Sequence, residues 1–229
     1  MQILRDRIAA IERVLADPPQ VHPEANGVWS TDPACYEYMA TLASPGSRTL
    51  ETGLGVSTVL FALWGCRHTC VVHSEPEVIS CQNYLRARGI PDDAVDFQVG
   101  PSEQVLPNLM LRDLDLVFID GCHGFPLPVI DWFYAAAMLR AHGVAVLDDA
   151  QLHQVRLGLF DFLNKDPRWV RTRRRPKWVA FQRREGGAMS EDWAQQPFLG
   201  TPLRIRCEGL VPAQARPFVS AVGRRFRLL

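Results

Sequence analysis

Three aspartates stand where this chain could do chemistry. Asp120 closes the apolar run that starts at Asp115, and Asp148 and Asp149 close the run from Val144 to Leu147. Acids placed directly after such runs sit at the carboxyl ends of neighbouring strands, and in an open α/β sheet those ends line one crevice. Three like charges packed together are costly unless a cation neutralises them. An all-oxygen donor set suits a hard ion, so Asp120, Asp148 and Asp149 read as ligands of Mg²⁺, with Ca²⁺ or Mn²⁺ as alternatives. The plainer reading is that strand ends need polar residues and that Asp commonly caps helices. His123 follows Asp120 by three residues. Its imidazole would titrate near neutral pH and could take a proton from a hydroxyl that a bound ion has acidified. His153, four residues past Asp149, is the rival base, and a loop or surface histidine is the bland alternative for either.

A second constellation is the run Glu51-Thr52-Gly53-Leu54-Gly55-Val56-Ser57-Thr58. Its glycines let backbone approach a ligand, and the amides of a following helix favour negative charge, so Glu51, Gly53, Gly55 and Ser57 read as a nucleotide-type binding turn. A dinucleotide fingerprint would want a third glycine where Thr58 stands, which tilts away from a nicotinamide cofactor. Glu75 lies 22 residues past Gly53, at the close of the next apolar run, where a carboxylate can accept both hydroxyls of a ribose. A tight turn without a ligand remains the alternative. Cys66, His68, Cys70 and His73 have zinc-ligand chemistry, but they read into a strand and no second cysteine pair follows at finger spacing.

Such residues need rigid elements behind them. Leu4, Ile8, Ile11 and Leu15 recur at helical steps, and Thr31-Asp32-Pro33 supplies a cap and first turn for a second helix reaching about Ala43. From Arg48 the pattern changes to short apolar runs alternating with helical stretches, the mark of βα units on a parallel sheet. Strands are predicted at Arg48 to Thr52, Thr69 to Ser74, Ala94 to Val99, Leu114 to Asp120 and Val144 to Leu147. A helix to about Asn164 then leads to extended runs at Arg168 to Arg173 and Lys177 to Arg184, which read as a terminal antiparallel hairpin. The predicted fold is α/β: a doubly wound, Rossmann-like, mostly parallel seven-stranded sheet. Residues 1–47 form an N-terminal helical cap, 48–184 the core, and 185–229 an extension without clear period.

In these residues the chain resembles class I S-adenosylmethionine-dependent methyltransferases, whose first motif is an acid followed by G-x-G, with a further acid ending strand two. The stretches DLVFIDGCH (Asp115 to His123) and VAVLDD (Val144 to Asp149) resemble the branch of metal-dependent small-molecule O-methyltransferases (methyltransferase family 24-like). The likeness runs from about Arg48 to Arg184. It implies S-adenosylmethionine as cofactor, Glu75 on its ribose and Ser102 near its adenine, although Ser102 could equally cap a helix ending near Leu109. It also implies that Asp120, Asp148 and Asp149 hold the ion, that Asp120 adjoins the cofactor and takes part in catalysis, and that His123 is the general base. Catechol-type members end strand five with Asp then Asn, whereas this chain has two acids there. Acceptor contacts would come from aromatics such as Trp29, Tyr36, Tyr38 and Trp132, or these simply fill the core.

The remaining composition narrows partners. Lys plus Arg and Asp plus Glu each number 25, so no global charge draws the chain to nucleic acid or membrane. Eight basic residues nevertheless fall between Arg168 and Arg184 with Trp169, Trp178 and Phe181 among them and no acid. This segment could dock phosphate, as in a metal-independent RNA methyltransferase or a non-catalytic module of the same fold, but a solvated Arg-rich edge is favoured. Charges throughout the first helix disfavour a signal peptide or membrane span, and six cysteines without a secretory signal read as reduced thiols. The expectation is a cytoplasmic enzyme acting on a small molecule, with homo-oligomerisation open.

Overall fold

A computed structural model describes residues 2–22 and 30–188. Seven strands, β1 (Arg48–Thr52), β2 (Arg67–Val72), β3 (Val95–Val99), β4 (Leu114–Ile119), β5 (Leu139–Leu147), β6 (Trp169–Arg174) and β7 (Val179–Arg183), form one sheet in the order β3-β2-β1-β4-β5-β7-β6. The first five strands run parallel, and β7 is antiparallel to both β5 and β6. This is the expected α/β Rossmann-like methyltransferase fold, with its order reversing between β1 and β4.

The apolar runs explain why the central strands are covered on both faces. Leu116 and Phe118 of β4 pack with Val144 and Val146 of β5 toward α1 (Gln2–Ala16), α2 (Pro33–Leu42), α3 (Val56–Leu63) and α4 (Glu75–Arg86). The alternate residues Val117, Ile119, Ala145 and Leu147 face α6 (Leu127–Met138) and the helical segment that runs from α7 (His153–Val155) to α8 (Asp161–Leu163). A π turn at Arg156–Phe160 joins those last two pieces. The short helix α5 (Ser102–Val105) follows β3.

Two local readings shift. Helix α1 buries Ala10, Ile11 and Val14, with Ile8 and Leu15 flanking, while Leu4 is exposed, so the inward stripe is turned from the one the spacing suggests. Strand β5 begins at Leu139 rather than Val144, because its first residue pairs with Leu114 before a register shift. Asp32 caps α2 as expected, its carboxylate accepting from the Ala34 amide. No helix among the described residues is long and apolar enough to cross a membrane. The extension from residue 189 onward, and Trp29 and Cys207, lie outside the described residues.

Candidate active site

The carboxyl ends of β1, β2, β4 and β5 open into a cavity of about 930 Å³ lined by both constellations. That is the upper part of the range for small-molecule and cofactor pockets. Gly53, Gly55 and Ser57 line it from the β1–α3 turn, Ser102 from the start of α5, and Asp120, His123, Asp148 and Asp149 from beyond β4 and β5. Gly53 has φ of 91°, and a β-carbon there would stand 2.3 Å from the Asp120 carbonyl oxygen. The turn must therefore be glycine, because two strand ends meet at that point.

Glu51 does not reach the cavity wall. It is fully buried behind the turn, where Oε1 accepts from Thr58 Oγ1 and lies 3.1 Å from His68 Nε2, while Oε2 has no hydrogen-bond partner. His68, which has zinc-ligand chemistry in the sequence, is thus a partner of this buried acid, and Thr49 Oγ1 contacts its other ring nitrogen at 2.8 Å. Cys66 and Cys70 are buried free thiols and His73 is exposed, so those four residues do not converge.

The acid brought to the cavity beside β2 is Glu77 and not Glu75. Glu75 is the exposed first residue of α4, whereas Glu77 turns back on Ser74, accepting from its amide at 3.3 Å, and meets His22 Nδ1 at 3.0 Å. The pattern Ser74-Glu75-Pro76-Glu77 is a capping box, a signal visible in the sequence that sends the fourth residue inward. His153 is exposed on α7 and lines no part of the cavity, which removes it as rival base. Ser102 is the first residue of α5 rather than its cap, which is Pro101. Of the aromatics, Tyr36 lines the cavity; Tyr38 stacks on Trp178, and Trp132 packs against Trp169 in the core.

The acidic end of the cavity is crowded. His123 Nε2 lies 3.2 Å from Asp149 Oδ2 and 3.6 Å from Asp120 Oδ1. Burial lowers the affinity of His123 for its proton, but the hydrogen bond to Asp120 and the charges of Asp120, Asp149 and Asp148 outweigh it, and its pKa is raised. Asp120 is pushed up to about 7 by burial, with the Asp148 charge adding to that and His123 opposing it. Asp148 is buried; Oδ1 accepts from Thr31 Oγ1, and Lys177 Nζ lies 3.5 Å from Oδ2. Asp149 holds a left-handed backbone (φ 48°), a conformation Asp tolerates better than most residues; its Oδ1 accepts from Gln151 Nε2 at 2.9 Å and lies 3.8 Å from Lys177 Nζ.

Nothing in the sequence singles out Lys177 or Thr31 as site residues. Only the pairing of β5 with β7 brings the lysine here. Another unforeseen group is Asp131 of α6, a buried carboxylate under the cavity floor with neither oxygen hydrogen-bonded. Burial raises its pKa, and the nearby Ser102 and Thr52 hydroxyls oppose the rise.

The expected divalent ion fits this arrangement poorly. Asp148 and Asp149 are already engaged by Thr31, Lys177, Gln151 and His123. Among the described residues no group of three His, Cys, Asp or Glu is placed to share a metal. An adenosyl donor fits better: the glycine turn leaves room for it, the orphaned Glu51 Oε2 lies behind that turn, and Leu54, Val56, Val71, Pro101 and Leu127 give apolar wall.

Comparison with known proteins defines the class. Residues 50–150 match the family model described as a methyltransferase domain, methyltransferase family 24. The match and the fold together support an S-adenosylmethionine-dependent methyltransferase, in agreement with the resemblance in the motifs. Among solved structures, the chain is similar to the cofactor-bound Rv0187 from MTB, with 21% identity over 81% of this chain and 91% of that one and a TM-score of 0.56. It is also similar to the O-methyltransferase from Bacillus cereus in complex with SAH, with 18% identity, 77% and 91% coverage and a TM-score of 0.56. A methyltransferase from Geobacter sulfurreducens gives 17% identity, 78% and 90% coverage and a TM-score of 0.55. At these identities the likeness establishes the fold. No curated protein matches the chain.

Proposed function

We propose that the protein methylates a hydroxyl group of a small molecule, using S-adenosylmethionine and His123 as the base. The observation that carries this reading is the position of His123, between Asp120 and Asp149 on the wall of the cavity that also receives the Gly53 to Gly55 turn. When bound, S-adenosylmethionine supplies an electrophilic methyl group on its sulfonium. Gly53, Gly55 and Ser57 would hold its amino-acid end, Glu77 its ribose side, and Ser102 its base, while Glu51 supports the turn from behind.

His123 then has one task, to accept the acceptor hydroxyl's proton at Nε2. Asp149 and Asp120 orient the ring and stabilise the imidazolium that results. Tyr36 and Leu127 close the acceptor side and exclude water. A small acceptor is favoured over nucleic acid because Trp169, Trp178 and Phe181 of the Arg-rich hairpin are buried, which leaves no aromatic platform for bases.

Calorimetry with S-adenosylhomocysteine, followed by an assay of its release with a panel of phenolic and sugar hydroxyls, tests the proposal. Cofactor-product binding together with turnover of at least one hydroxyl acceptor is the expected result. Absence of binding would overturn it, as would turnover confined to RNA and lost on reversing the charges of Arg173 and Arg174.

A further inference from the structure

We infer that Lys177 takes the part of a divalent ion in this site, so that the acidic cluster is balanced by a side chain of the protein and works without metal. Lys177 Nζ lies 3.5 Å from Asp148 Oδ2 and 3.8 Å from Asp149 Oδ1, and it donates to the Ser30 carbonyl at 3.0 Å. These contacts put one ammonium against two of the three carboxylates that close β4 and β5. The third, Asp120, faces His123.

The lysine is not a chance visitor on a long stem. Its carbonyl accepts from the Ala150 amide at 2.7 Å, the hairpin turn is closed by the Arg175 amide donating to the Trp178 carbonyl at 2.8 Å, and Trp178 itself is buried. The backbone on either side of Lys177 is therefore fixed against the end of β5, and the ammonium reaches the acids from a set direction. Its side chain is 36% exposed, on the cavity wall. A doubly charged ion placed among these acids would meet a fixed like charge close to two of its ligands, while Thr31 and Gln151 already occupy carboxylate oxygens on the same pair. The ammonium supplies the positive charge beside the acceptor position and holds Asp148 and Asp149 in place, which makes Lys177 a positioning residue. Its catalytic consequence rests on the methyl-transfer reading, but the metal chemistry does not.

The test uses the full chain after treatment with a chelator. Mn²⁺ is titrated in and free ion is followed by electron paramagnetic resonance, with S-adenosylhomocysteine binding measured separately by calorimetry. The wild-type protein should take up no stoichiometric Mn²⁺. Lys177→Met should gain a Mn²⁺ site that Asp149→Asn abolishes in the same background, and Lys177→Arg should gain none. One equivalent of Mn²⁺ bound by the wild type and lost in Asp149→Asn would overturn the inference. So would a cooperatively melting Lys177→Met that binds none. If Lys177→Met does not fold, the wild-type titration decides alone. Loss of S-adenosylhomocysteine binding would sink the proposed function and leave the metal result standing.

Discussion

His123 faces two carboxylates at 3.2 and 3.6 Å, and that environment governs how it works. A base must be neutral to accept a proton, and the surrounding acids hold its pKa above that of a free imidazole. Turnover per bound substrate should therefore rise with pH, with a midpoint above about 6.5. Asp149→Asn removes one of the charges responsible and should move that midpoint down, which a pH–rate profile of both proteins checks. His123→Ala should lower kcat by about 10²- to 10⁴-fold, the usual share of a positioned base, with S-adenosylhomocysteine affinity nearly unchanged by calorimetry. His123 and the three aspartates could be picked out from their order along the chain. Lys177 could not, because nothing local distinguishes it from its seven basic neighbours between Arg168 and Arg184.

Elements decide which of several suitable residues reaches the cavity. Helix α4 starts at Glu75, and its capping box turns Glu77 back toward Ser74 and leaves Glu75 in solvent. Glu77→Ala should weaken S-adenosylhomocysteine binding measurably, and Glu75→Ala should weaken it much less. The opposite order would return the ribose role to Glu75. At the β1–α3 turn, the Asp120 carbonyl leaves no space for a side chain at Gly53. Gly53→Ala should destabilise the fold by about 1–3 kcal/mol in urea unfolding, the usual cost of a strained backbone position, and should abolish cofactor-product binding as β1 and β4 are pushed apart. The strands themselves were readable because runs such as Leu116 to Ile119 are buried on both faces, so they stay apolar without alternation.

At the scale of the molecule, the site carries a stability cost that depends on pH. In the folded protein Asp120 titrates near 7, above its ordinary value of 3.8, so the folded state holds that proton more tightly than the unfolded chain does. Stability from this group is present below its unfolded pKa and falls as pH rises from 3.8 toward about 7. The raised pKa of His123 acts in the same direction, its contribution being lost as pH rises through its folded value. Asp120→Asn stays neutral throughout and should flatten the lower part of the slope, so its Tm should fall less than the wild type's between acid and neutral pH. The residual slope in that variant reports on His123. Thermal melts across the range measure both, and parallel slopes would show that Asp120 keeps an ordinary pKa.

The amino-acid sequence by itself determined the order of strands and helices, the glycine turn and the acids at the ends of strands four and five. Each of these rests on a period, a spacing or a backbone requirement contained within a few residues. The tertiary structure alone decided what those acids face. Pairing of β5 with β7 places Lys177 beside Asp148 and Asp149, and the start of α2 sets Thr31 on Asp148 from 117 residues away. Charge balance inside a cavity is a sum over everything within a few ångströms, and closeness in space is settled only when distant segments pack.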